Sequence, residues 1–77
     1  MKITVDEAQA IGDELGVDWK QIDLGQFRRG LEVEYEHIGT IKKLAPNANV
    51  TLAVASIAID HLNEWPDYYT RLMKVER

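Results

Sequence analysis

Apolar positions along the 77-residue chain recur at helical rather than strand spacing, and punctuating residues divide them into four segments. Val5, Ala8, Ile11 and Leu15 form the first stripe. Ahead of it, Thr4 and Glu7 have the spacing of a capping box, in which each side chain accepts the other residue's backbone amide. Gly16 is placed to end this helix in a left-handed conformation. Gly12 lies in its interior, where glycine costs about 1 kcal/mol relative to alanine, so the position predicts a close neighbour. Asp18 to Gln21 reads as a short capped turn, with Trp19 and Ile22 pinning it to the core.

Asp23 and Gln26 repeat the capping-box spacing and open a second helix, which runs to about Ile38 and closes at Gly39. Leu24, Phe27, Leu31, Tyr35 and Ile38 make its apolar stripe, with Arg28, Arg29, Glu32 and Glu36 on the solvated side. Pro46, Asn47 and Asn49 break the pattern between Gly39 and Asn49, a connection anchored by Ile41 and Leu44. A third helix is expected from Val50 to Asn63 or Glu64, and its wide apolar coverage suits the central helix of a small bundle. Trp65-Pro66 interrupts it, because proline disfavours helical geometry in the preceding residue yet suits a new first turn. Asp67 then falls in the first turn of a last helix, where the macrodipole favours an anion. In that helix Tyr69, Leu72 and Met73 pack, while the stretch from Lys74 to Arg77 frays. The expected architecture is all-α: one domain over residues 1–77, a compact bundle of three main helices plus a short C-terminal helix.

Composition narrows the chemistry. Without cysteine there is no disulfide, thiolate zinc site or thiol nucleophile. No apolar run reaches the roughly 18 residues that span a bilayer, and the start Met1-Lys2-Ile3-Thr4 lacks a signal-peptide core. A cytoplasmic protein with no membrane association is therefore expected. The net charge of -4 repels phosphate backbones, and the short basic pairs Arg28-Arg29 and Lys42-Lys43 lack interleaved aromatics. Nucleic acid is not an expected partner.

The candidate chemistry lies in two mirrored spacings, Glu34-x-x-His37 and His61-x-x-Glu64, which contain both histidines of the chain. Residues three apart share a helix face, so each pair presents an imidazole beside a carboxylate. Gly30, next to Glu34 on the wheel, removes a side chain where another helix approaches. Two readings stand open. In one, the carboxylates and the hydroxyls of Tyr35, Tyr68 or Tyr69 satisfy core-facing imidazoles and fix helix register. In the other, Glu34, His37, His61 and Glu64 bind zinc, iron or manganese, with further carboxylates supplied by a dimer. A Glu-His pair could also serve as general acid and base, but that needs an open cleft beside His61. Ser56, the only serine, falls on the polar arc away from His61 and makes no triad. No complete catalytic constellation is present, so an enzyme is the minority reading.

Trp65, Asp67, Tyr68 and Tyr69 form a candidate partner-binding surface, since tryptophan and tyrosine are enriched at interface hot spots. The competing expectation is that the aromatic residues wall the core. It is favoured for Trp19 and for one of the two tyrosines, which diverge as helix neighbours.

The segments Glu7-Ala8 with Ile11-Gly12, Leu15 through Trp19, Phe27 through Glu34 with Glu36-His37, and His61 through Glu64 with Pro66 through Leu72 together resemble an uncharacterised family of short bacterial and phage proteins. The resemblance covers nearly the whole chain and is most specific in the two His/Glu segments. It implies a compact helical protein and a phage or prophage origin, but no activity. The functional expectation is a small acidic non-catalytic module that binds a protein partner or itself. Its alternative is the Glu/His metal protein.

Overall fold

The computed structural model describes residues 2–36 and 50–76. They form four helices: α1 (Val5–Glu14), α2 (Leu24–Tyr35), α3 (Val50–Glu64) and α4 (Tyr68–Glu76). The all-α expectation holds, with three main helices and a short C-terminal one. His37, Ile38 and Gly39, and the Ile41 and Leu44 anchors, lie outside the described residues.

Local chemistry sets the ends of α1. Thr4 Oγ1 accepts the Glu7 amide at 3.1 Å and Glu7 Oε1 accepts the Thr4 amide at 3.0 Å, so the capping box is complete. The hydrogen bond from the Thr4 backbone, ahead of that from its side chain, holds the Glu7 carboxyl below the ordinary range. At the other end Gly16 adopts φ 76°, and the Val17 amide reaches back to the Gly12 carbonyl while the Gly16 amide reaches that of Asp13. This is the Schellman closure, which needs a left-handed residue that glycine supplies without strain. The following turn folds on Asp18, whose side chain takes the Lys20 amide and whose carbonyl takes those of Gln21 and Ile22.

The close neighbour expected at Gly12 is Trp19. A Cβ at Gly12 would sit 2.3 Å from Trp19 Cη2 and 3.3 Å from Phe27 Cε2. The indole cannot easily retreat, because it packs edge-on against Phe27 and its Nε1–H donates to Asp13 Oδ1 at 2.7 Å. Gly12→Ala should therefore destabilise by about 1–2 kcal/mol, overpacking outweighing the gain of about 1 kcal/mol in helix propensity. Urea unfolding followed by Trp19 fluorescence checks this; an unchanged or raised midpoint would show that the ring has room to move.

α2 opens at Asp23, whose Oδ2 accepts the Gln26 amide at 2.9 Å. The reciprocal half of the expected box is missing: the Gln26 amide nitrogen donates instead to Thr70 Oγ1 on α4 at 2.6 Å. A second departure concerns which helix is central. α2, not α3, packs against each of the other three, using Phe27, Gly30, Leu31 and Glu34. The buried positions of α3 are Val54, Ala55, Ala58 and Leu62; Leu52 is exposed, and Ile57 and Ile59 are only partly covered. A long apolar sequence there encloses one side of the core rather than running through it.

Arg28 and Glu32 are also half-buried rather than fully solvated. Glu32 accepts the Ile3 amide at 2.9 Å, and Arg28 reaches both Glu32 and the Ile3 carbonyl at 3.4 Å. Together they hold the segment before α1 against α2, which buries Ile3. At the α3–α4 junction the Trp65 and Tyr68 amides close onto His61 and Trp65, a turn that Pro66 cannot extend as helix. Asp67 stands just ahead of α4 rather than inside its first turn; its carbonyl accepts the Arg71 amide.

Candidate functional site

The α3–α4 turn swings α4 back so that Tyr69 drops onto α2 opposite Gly30. Tyr69 is fully buried. A Cβ at Gly30 would lie 2.5 Å from Tyr69 Cε2, so the ring occupies the space that a side chain would need. That approach brings the Tyr69 hydroxyl to Glu34, where it donates to Oε2 at 2.9 Å. His61 of α3 completes the group: its Nδ1 lies 3.2 Å from Glu34 Oε2 and 3.3 Å from the Tyr69 oxygen. Tyr68 stacks on the His61 ring at 4.2 Å between centroids and meets Tyr69 edge-on.

These contacts assign hydrogens. Tyr69 gives its proton to Glu34, so its oxygen can only accept from His61. A lone pair on Nδ1 would face two oxygens and repel both. His61 must therefore carry Nδ1–H, shared between Glu34 and Tyr69, and fixed in plane by the Tyr68 stack. The result is a three-helix polar lock joining α2, α3 and α4. It leaves the imidazole partly open, with 32% of its side chain exposed against 9% for Glu34.

Burial first, then the hydrogen bond and negative charge of Glu34, raise the Tyr69 hydroxyl far above the ordinary phenol range. The fold favours the neutral phenol, so the stabilisation is complete below the unfolded-state value of about 10 and is lost as pH rises above it. In an alkaline titration, one phenolate equivalent should appear only with cooperative loss of the helical circular-dichroism signal. Complete ionisation of all tyrosines in a still-helical protein would contradict the buried lock.

Of the four His/Glu candidates, Glu34 and His61 come together, Glu64 is exposed, and His37 lies outside the described residues. Glu64, expected beside His61, is replaced there by Tyr69. Spacing of three allows the substitution, because it leaves residues about 60° apart on the wheel and only one need face inward. Among the described residues no group of three or more His, Asp or Glu is arranged to hold a metal ion. Tyr35, another expected hydroxyl partner, instead meets Thr51 Oγ1 at 2.8 Å.

The aromatic candidates divide as sharply. Tyr69 is internal and presents nothing to a partner; Tyr68 is half-buried; Trp65 and Asp67 are exposed. Trp19 walls the core, as expected. Arg71, given no role by the sequence, and Leu72, expected to pack inward, complete the outer surface. Arg71 lies 4.6 Å above the Trp65 ring and its Nε donates to Asp67 Oδ1 at 2.7 Å, while Leu72 lines a depression of about 230 Å³ with Trp65, Tyr68 and Arg71. The i, i+4 spacing of Tyr68 and Leu72 is the signal that would have found it.

The model of a family described as "Protein of unknown function (DUF5661)" matches residues 8–77, and the chain belongs to that family. No curated protein and no solved structure matches it.

Proposed function

We propose that the protein is a small, acidic, non-catalytic module that binds another protein through the surface centred on Trp65. The observation that carries this reading is the exposed indole, 45% accessible, beside an apolar depression shared with Tyr68 and Leu72 and roofed by Arg71. Tryptophan, tyrosine and arginine are the side chains most enriched among binding hot spots. The depression takes one apolar side chain. A carboxylate next to that side chain would exchange with Asp67 for Arg71, at little cost because both members of that pair are more than half exposed. Contact this small is transient unless neighbouring surface joins it. A phage or prophage source, which the family resemblance implies, would make the partner a larger phage or host protein.

The test is site-specific photocrosslinking of the full chain in its host. A crosslinking residue at position 72 should give a discrete adduct that Trp65→Ala abolishes and that the same residue at position 56 does not give. Adducts of equal yield from both positions, or none, would remove the surface from consideration.

The second reading, a zinc, iron or manganese protein, keeps Glu34 and His61 as two ligands whose facing atoms are 3.2 Å apart. Stoichiometric metal in protein purified without a histidine tag would favour it over the binding module.

A further inference from the structure

α4 has a second outward side. At about 100° per residue, Thr70, Met73 and Lys74 lie opposite Tyr68, Arg71 and Leu72. They face the start of α2 across an open cleft of about 430 Å³, lined also by Asp23, Gln26, Arg28 and Arg29. That volume is within the roughly 300–1,000 Å³ usual for small-ligand sites.

The chemistry of this cleft runs against that of the whole chain. The protein carries a net charge of -4, yet three of its nine lysines and arginines converge here against one carboxylate, Asp23. Arg28 is occupied by Glu32 and the Ile3 carbonyl. Arg29 and Lys74 have no carboxylate partner among the described residues; Arg29 meets only the Met73 sulfur. An arginine guanidinium is a planar fork that matches oxyanions two bonds at a time, and a nearby ammonium adds an adaptable charge. The wall also holds an acceptor. Asp23 caps α2 through Oδ2 and has Oδ1 as its other oxygen, while the Gln26 side chain is tied to Thr70 Oγ1.

We infer that the cleft between the start of α2 and α4 binds a small sugar phosphate. Arg29 and Lys74 hold the phosphate, helped by the field of Arg28 and the Thr70 hydroxyl. Asp23 Oδ1 accepts from a sugar hydroxyl. Asp23 disfavours a bare inorganic anion, so the hydroxyls are needed as well as the charge. The site goes beyond the Trp65 surface and does not depend on it.

Titration of the full isotope-labelled chain with glucose 6-phosphate, followed by amide NMR shifts, tests the assignment. Saturable shifts concentrated at Gly25, Gln26, Arg29, Thr70 and Lys74 are expected by about 10 mM, with inorganic phosphate and citrate at least about tenfold weaker and glucose silent. Arg29→Gln with Lys74→Gln should weaken binding by at least about tenfold, the loss expected when two charge-assisted contacts go. Lys74→Gln alone, at an exposed position, should show part of that loss in a protein that melts normally. Three outcomes overturn the assignment: no saturable shift, citrate or inorganic phosphate binding as tightly as the sugar phosphate, or unchanged affinity in the Lys74 variant.

Discussion

Gly30→Ala is expected to lower stability by about 3 kcal/mol. The new methyl carbon would lie 2.5 Å from Tyr69 Cε2 and 2.7 Å from Cζ. Overpacking of this kind costs about 1–3 kcal/mol when neighbours yield. Here the ring is fully buried and its hydroxyl is tied to Glu34, so yielding also breaks a buried bond worth about 1–3 kcal/mol. The gain of about 1 kcal/mol in helix propensity offsets only part of this. At roughly 0.05–0.15 kcal/mol per residue, a domain of this size has a margin of only roughly 4–12 kcal/mol. Urea denaturation should therefore show a large fall in midpoint. A neutral or stabilising result would mean that α4 does not sit against α2 at Gly30.

Tyr69→Phe probes the lock from the other side and keeps the packing. It removes one oxygen and leaves Glu34 Oε2 without its shortest described hydrogen bond and His61 Nδ1–H with one acceptor instead of two. Taking one partner from a buried charged acceptor costs more than removing both, so a loss of about 2 kcal/mol is expected. Combining it with His61→Ala should be less damaging than the sum, because both changes remove the same network. Additive losses, or a single-variant effect below about 0.5 kcal/mol, would show that the hydroxyl contributes nothing specific.

What could be read in advance, and what could not, follows the range of the interactions. Thr4 with Glu7, Gly16 and Pro66 act within a few residues, so the ends of α1, the closure after it and the α3–α4 break were readable. The span of α3 was readable from its apolar run alone. Gly12 and Gly30 announced close approaches without naming what approached. Trp19 is seven residues from the first, and Tyr69 is 39 from the second, so neither identity follows from periodicity. The same limit explains the His/Glu site. The spacing named Glu34 and His61 among the candidates, and the structure brings these two together. The choice of Tyr69 over Glu64 as their companion depends on how the Trp65–Asp67 turn aims α4. Arg28 and Glu32 looked solvated because their partner, the Ile3 backbone, carries no side-chain signal.

The placement of Tyr69 has a consequence for synthesis. Its ring fills the gap over Gly30 and ties together three helices, yet it belongs to the last helix of the described fold. A nascent chain that has emerged only as far as Trp65 holds α1, α2 and α3 with an unfilled slot in α2 and with Glu34 lacking the Tyr69 hydroxyl. Such an intermediate has the apolar surface to collapse but not the piece that locks it. The Tyr69 lock therefore cannot form until α4 has left the ribosome.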